Sequence, residues 1–238
     1  MLPHVRPTIA TCAVLGAVVG WLTPVTAYRL SVEYGSPPRS TCGDCAGPLP
    51  IAGRCPGCRA VLGPTAWLTV PVGALAFALI ASALGPAPEL PAYLGVAGVG
   101  VLLAFIDLAC LRLPDPLVGA ATILGVAPLL LVAALDGTAG PLGRAALAAL
   151  LMAGIYLVLA LVPGAGLGLG DVKLSGVLGF TLGWLGWPAV LLGLVLPHLL
   201  NGPIALVLLL SGRAGRRTDL PLGPALLAGW LLAVVVTA

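Results

Sequence analysis

Charge is what this sequence has least of. Acidic and basic residues together make up 8% of its 238 positions, aromatic residues 5%, and there is a single lysine, Lys173. So few charges cannot keep the surface of a soluble domain hydrated. There is no basic stripe with interleaved aromatics, which argues against a nucleic-acid partner. The glycine run at 164–170 has no strand before it and no Lys-Ser or Lys-Thr after it, which argues against a phosphate loop. No small-residue cleavage site follows the first apolar run. Tyr28-Arg29 stands there instead, so the run reads as a retained helix rather than a cleavable signal.

Apolar residues occupy the space that charge leaves. They are 60% of the chain, beside 33 Gly and 23 Pro, and the mean hydropathy is +1.13. A spanning helix needs about 20 apolar residues. Eight segments come near that: 8–28, 67–85, 92–113, 116–135, 143–163, 172–186, 188–210 and 220–238. The expected fold is therefore an all-α polytopic membrane protein with about eight transmembrane helices in a lipid bilayer. Its parts are a first helix (1–28), a polar loop (29–66) and a helical core (67–238). Let the N-terminus lie outside and the helices alternate. Nine of the eleven basic residues then fall inside: Arg29, Arg39, Arg54, Arg59, Arg112, Lys173, Arg213, Arg216 and Arg217. Only Arg6 and Arg144 fall outside. The positive-inside rule thus predicts an N-out, C-out chain with the 29–66 loop in the cytoplasm.

Two aspartates interrupt this apolar background, Asp107 in Phe105-Ile106-Asp107-Leu108 and Asp171 in Gly168-Leu169-Gly170-Asp171-Val172-Lys173. A carboxylate deep in a bilayer is unfavourable by about 2.5–3.5 kcal/mol, so a chain that keeps two of them is expected to use them. The charge assignment puts both at the cytoplasmic ends of helices three and five, on the side of the loop. Two carboxylates sharing one proton can activate water and protonate a departing amine, which is aspartic-protease chemistry. The competing reading of Asp107 is a partner for Arg112. Asp115, between Pro114 and Pro116, has a structural explanation as the cap of a helix four that starts at Pro116. Gly168 and Gly170 permit close backbone approach by a helix or an extended peptide. With Lys173 and Asp115 they are the candidate substrate contacts. Lys173 reads equally as a basic anchor at the inner face.

The 29–66 loop holds four of the six cysteines. Cys42-Gly43-Asp44-Cys45 and Cys55-Pro56-Gly57-Cys58 are separated by nine residues. Two such knuckles supply four thiolates for a tetrahedral structural zinc. A reducing cytoplasm argues against two disulfides; free or redox-active thiols are the other reading. Cys12 and Cys110 lie in apolar runs and read as small core residues.

At these residues the sequence resembles the type IV prepilin leader peptidases, the bacterial branch of the GxGD intramembrane aspartyl proteases. Tyr28-Arg29 closes the first helix as in that family. Arg39-Ser40-Thr41-Cys42-Gly43-Asp44-Cys45 and Gly53-Arg54-Cys55-Pro56-Gly57-Cys58 resemble its two knuckles. Ile106-Asp107 through Leu113-Pro114-Asp115 resembles its first aspartate motif, and Gly168-Leu169-Gly170-Asp171-Val172-Lys173-Leu174 its second. Pro221-Leu222-Gly223-Pro224 is similar to a family Pro-Phe-Gly-Pro.

The resemblance implies Asp107 and Asp171 as the catalytic pair. It implies prepilin or pseudopilin substrates, with a basic leader, a Gly at the cleavage point and a hydrophobic helix after it. It also implies a bacterial cytoplasmic-membrane location, with cleavage at the cytoplasmic face. Many members N-methylate the new terminus with S-adenosylmethionine, and the cysteine loop is associated with that branch. Here the segment between the knuckles is short, and Gly63-Pro64-Thr65-Ala66-Trp67 replaces the family's Tyr-Pro-x-x-Glu. These departures predict cleavage without methylation. Two other functions stay open: a proton- or cation-coupled transporter and a non-catalytic subunit of a pilus or secretion assembly. The transporter calls for an inverted repeat, yet the double-Cys loop has no counterpart in the second half.

Overall fold

A computed structural model describes residues 5–33, 35–137, 139–162, 167–211 and 220–238. Eight α-helices account for most of them: α1 (Val5–Leu30), α2 (Ala66–Leu84), α3 (Leu90–Cys110), α4 (Asp115–Asp136), α5 (Ala139–Leu161), α6 (Leu169–Leu185), α7 (Trp187–Leu210) and α8 (Gly223–Thr237). They fall on the eight apolar runs, and no strand occurs among the described residues beyond two isolated bridges in the cysteine loop. Among the described residues six helices are long and apolar enough to cross a membrane, so the chain is a multi-pass membrane protein. Gly164, Ala165 and Gly166 of the glycine run and Arg213, Arg216 and Arg217 lie outside the described residues.

One of the two short helices, α6, is the most enclosed of the eight. α6 has 17 residues, ten of them buried, and packs against α4, α5, α7 and α8. α8 has 15 residues and packs against α2, α3, α6 and α7. A 17-residue helix is only about 25 Å long, short of the roughly 30 Å hydrocarbon core. Neighbouring helices cover it instead of lipid.

Lipid tails are as apolar as leucine, so the helices are sorted by close contacts and by polar pairing. α1 and α2 touch backbone to backbone where Gly16 meets Gly73 and Gly20 meets Thr69. Gly179 and Gly183 let α6 press against Ala148 and Ala145 of α5 in the same way. A buried polar cluster ties three helices together. The Tyr93 hydroxyl (α3) donates to the Thr181 carbonyl (α6) at 2.7 Å, and Trp230 Nε1 (α8) donates to Thr181 Oγ1 at 2.8 Å. The Tyr93 and Trp230 rings stack at 6.2 Å. All three side chains are buried.

Thr181→Val keeps the shape but strands the indole N–H. We expect it to lower the thermal stability of the detergent-solubilised protein by about 1 kcal/mol. Trp230→Phe should be less damaging in the Thr181→Val background than in the wild type. Equal effects in both backgrounds would show that the bond does not couple the helices.

Candidate active site

Asp107 lies in the last turn of α3 and is 4% exposed. The helix ends sooner than the apolar run suggests, at Cys110, because Leu111 turns into the left-handed region (φ 52°) and its N–H caps the Asp107 carbonyl. A carboxylate at the C-terminus of its own helix faces an unfavourable dipole. The start of α8 offsets it: the Gly223 N–H donates to Asp107 Oδ2 at 2.9 Å. A Cβ on Gly223 would stand 2.8 Å from that same oxygen, so only glycine lets α8 come this close. Gly223 is thus a site residue that the sequence alone does not single out. Its signal was the Pro221-Leu222-Gly223-Pro224 motif, but nothing local said which side chain it meets.

Asp171 is 9% exposed and sits in the first turn of α6, not at the end of the fifth helix. Gly168 is the N-cap of α6, and Asp171 Oδ2 reaches back to accept the Gly168 N–H at 3.2 Å. This is the acidic half of a capping box, in the favourable field of its own helix start. Asp171 Oδ1 is buried with no hydrogen-bond partner in the protein. Gly170 has no side chain because Leu113, in the turn after α3, occupies that space: a Cβ there would stand 2.9 Å from Leu113 Cβ.

Asp107 and Asp171 therefore come from two helix ends and line one cavity of about 630 Å³, together with Asp115, Lys173, Gly168 and Gly170. The two carboxylates are near enough to interact electrostatically. Asp115 does not cap α4. The helix begins at Asp115 itself, with Pro114 as its cap residue, and the Asp115 carboxylate pairs with Lys173 Nζ at 2.6 Å. Both groups of that pair are more than half exposed, at the cavity's edge. Arg112, also on the cavity, donates to the carbonyls of Val32 and Glu33. The start of the cysteine loop is thereby fastened to the end of α3.

The four loop cysteines meet at one point, with all four sulfurs within 4.8 Å of one another. The Cys42–Cys58 and Cys45–Cys55 sulfur separations are 3.7 and 3.5 Å. A tetrahedral zinc with about 2.3 Å bonds calls for sulfurs roughly 3.8 Å apart, so the set fits this ion. Each knuckle folds the same way. Ala46 and Arg59, each just after the second cysteine, take positive φ, and their N–H groups donate to the Cys42 and Cys55 carbonyls. The Cys58 and Gly57 amides draw the Cys55 thiol down to about 6. Although the Ala60 amide favours its thiolate, desolvation and the other three sulfurs push Cys58 up to about 12. Thiols this close shed all their protons only when a cation compensates them. The module docks on α1: Cys42, Cys55 and Leu62 pack with Val25, and the Gly43 N–H donates to the Tyr28 hydroxyl.

Comparison with known proteins bears on the whole arrangement. The family model of the type IV leader peptidases matches residues 94–206, a stretch that holds both aspartates. A protein of Aeromonas salmonicida (strain A449) named prepilin leader peptidase/N-methyltransferase is 33% identical over 215 residues, which cover 82% of this chain and 70% of that protein. A protein of the same name from Aeromonas hydrophila aligns to the same extent. No solved structure matches the chain.

We expect one zinc per chain by metal analysis, and its loss on replacing any one of Cys42, Cys45, Cys55 or Cys58 by Ser. The metal-free variant should be cut faster by protease within the 29–66 loop. A metal-free wild-type preparation with an equally resistant loop would contradict this.

Proposed function

This chain belongs to the type IV leader peptidase family, and from that premise we propose that it is an intramembrane aspartic endopeptidase acting on prepilins or pseudopilins. The observation that carries the reading is the convergence of Asp107 and Asp171, both buried, on one cavity. Like charges in one buried site do not both ionise readily, so the pair holds one proton between them. The ionised carboxylate takes a proton from water as the water oxygen bonds to the scissile carbonyl carbon. The protonated carboxyl gives its proton to the carbonyl oxygen. As the C–N bond breaks, the pair returns a proton to the departing nitrogen, leaving a new carboxyl on the leader and a new amine on the mature protein.

The remaining polar groups have supporting parts. Gly223 holds Asp107 Oδ2 and Gly168 holds Asp171 Oδ2, so each carboxylate keeps a fixed face. Lys173 and Asp115 border the opening and orient the extended segment that carries the cleavage point. Gly170, in the first turn of α6, has an N–H without an acceptor inside that helix and is the backbone group offered to that segment, whereas the Gly168 N–H and carbonyl are both engaged by Asp171.

The same end of the bundle carries Arg29, Arg39, Arg54, Arg59, Arg112 and Lys173, while Arg144 lies at the other end, on the Gly183 and Trp184 carbonyls. By the positive-inside rule the site then faces the cytoplasm of a bacterial membrane, with the N-terminus outside. We assign residues 1–28 and 29–66 to a helix and a zinc-folded module that brace the peptidase core at 67–238. Zinc has a structural part only, since four thiolates leave no open position.

Asp107→Asn and Asp171→Asn should each abolish cleavage of a prepilin by purified protein while accumulation in the membrane persists. Gly223→Ala should slow cleavage at least about tenfold by displacing Asp107, a loss of the size seen for one positioned donor. Asp115→Asn removes only an exposed ion pair and should keep activity within about tenfold. An active Asp107→Asn beside a dead Asp115→Asn would reverse the assignment.

Methyl transfer is a separate matter. The relatives' name includes it, but the short knuckle spacing and the missing Glu lead us to propose cleavage alone. Mass spectrometry of the mature terminus, made by this protein with S-adenosylmethionine supplied, should show no added methyl group. A methylated product would overturn the single-activity reading and leave the peptidase intact.

A further inference from the structure

Asp171 Oδ1 is one of three buried side-chain oxygens without a hydrogen-bond partner in the protein among the described residues. Another is the hydroxyl of Tyr156, on α5, which is 0% exposed. The third, Ser31 Oγ, lies just beyond the end of α1. A buried phenol with nothing to bond to is unfavourable relative to phenylalanine of the same shape. Tyrosine at this position therefore calls for a use.

The packing of α5 on α6 brings the two oxygens to facing turns. Gly183 meets Ala145 and Ala148, Gly179 meets Ala148 and Met152, and Gly176 meets Ala149 and Ala153. Each turn back along α6 is thus a turn forward along α5. The next turn sets Tyr156 opposite the first turn of α6, where Asp171 stands. Asp171 is also the charged group whose field reaches the Tyr156 hydroxyl. The Tyr156 ring is buried and lies beside the ring of His198 of α7, with ring centres 5.8 Å apart. The ring is therefore fixed, and the hydroxyl hydrogen is the part left to rotate.

We propose that Tyr156 is a positioning residue for the peptidase reaction, its hydroxyl donating a hydrogen bond to Asp171 Oδ1 across one bridging water. The inference rests on the reading of Asp171 as catalytic. Gly168 already holds Oδ2. A donor on Oδ1 fixes the plane of the carboxylate and directs its remaining lone pairs toward the cavity, where the attacking water and the scissile carbonyl lie. Tyr156 touches neither the substrate nor the attacking water in this scheme and works through Asp171.

The test is Tyr156→Phe in the full-length purified protein, with prepilin cleavage followed to give kcat and KM. The change keeps the ring against His198 and removes only the hydroxyl. A merely structural hydroxyl without a partner can be removed with stability unchanged or raised and kcat untouched. The inference expects unchanged or raised thermal stability, kcat lower by about tenfold or more, and KM within about twofold. Met152→Leu, a substitution of equal burial one turn away, controls for packing and should keep kcat within about twofold. Wild-type kcat in Tyr156→Phe would overturn the inference, and so would an equal kcat loss in Met152→Leu. Asp171→Asn run alongside separates the two claims. If it cleaves, the catalytic pair falls and this inference with it. If it is inactive while Tyr156→Phe keeps wild-type kcat, the pair stands and only the Tyr156 inference fails.

Discussion

Inside a bilayer a polar group must find its partner within the protein, because neither water nor lipid will supply one. That constraint orders the rest of this molecule. The helices gain little by hiding leucine from hydrocarbon, so the few buried hydrogen bonds and close glycine contacts decide which helix lies beside which. Tyr93, in the first turn of α3, Thr181, in the last turns of α6, and Trp230 of α8 join these three helices. These are the three helices that bring Asp107, Asp171 and Gly223 together at one end. The polar cluster and the site are two contacts along the same three rods, so fixing one narrows the freedom of the other.

The same constraint explains where the carboxylates sit. Each is placed against a helix start, the one part of an apolar helix that offers spare N–H groups. Asp171 uses the start of its own helix and Asp107 borrows that of α8. Because α6 is short and wrapped by other helices, its first turn and the aspartate on it are shielded by protein rather than lipid. Around the opening the charges are paired or tied down. Lys173 answers Asp115, and Arg112 fastens the loop to the end of α3. The cysteine module lies to one side, seated on the last turns of α1 through Tyr28 and Val25. Its four sulfurs lie within 4.8 Å of one another and leave no fifth protein ligand beside them among the described residues.

Much of this was legible in the sequence because it is written in local patterns. Eight apolar runs broken by glycine and proline gave the helices to within a few residues, and the two Cys-x-x-Cys pairs gave a four-sulfur cluster. What stayed hidden depends on pairs of residues far apart in the chain. Asp115 looked like a cap because prolines flank it, yet its partner is Lys173, 58 residues on. Gly223 belongs to Asp107 across 116 residues. The end of α3 depends on Leu111 adopting a left-handed conformation that no local signal for leucine foretells. The tie of Tyr93 and Trp230 to Thr181 was likewise invisible, since each residue alone reads as ordinary apolar filling.

The account comes down to two carboxylates working on one tetrahedral carbon. The most direct measurement is the binding of a prepilin-like peptide whose scissile carbonyl is replaced by a hydroxyl-bearing tetrahedral carbon. A site built for that geometry should hold the analogue at least about a hundredfold tighter than the matching substrate peptide. Either Asp107→Asn or Asp171→Asn should remove the difference, because the hydroxyl needs both groups. Analogue and substrate binding equally to the wild type, or an advantage that survives in either variant, would contradict a shared aspartic site.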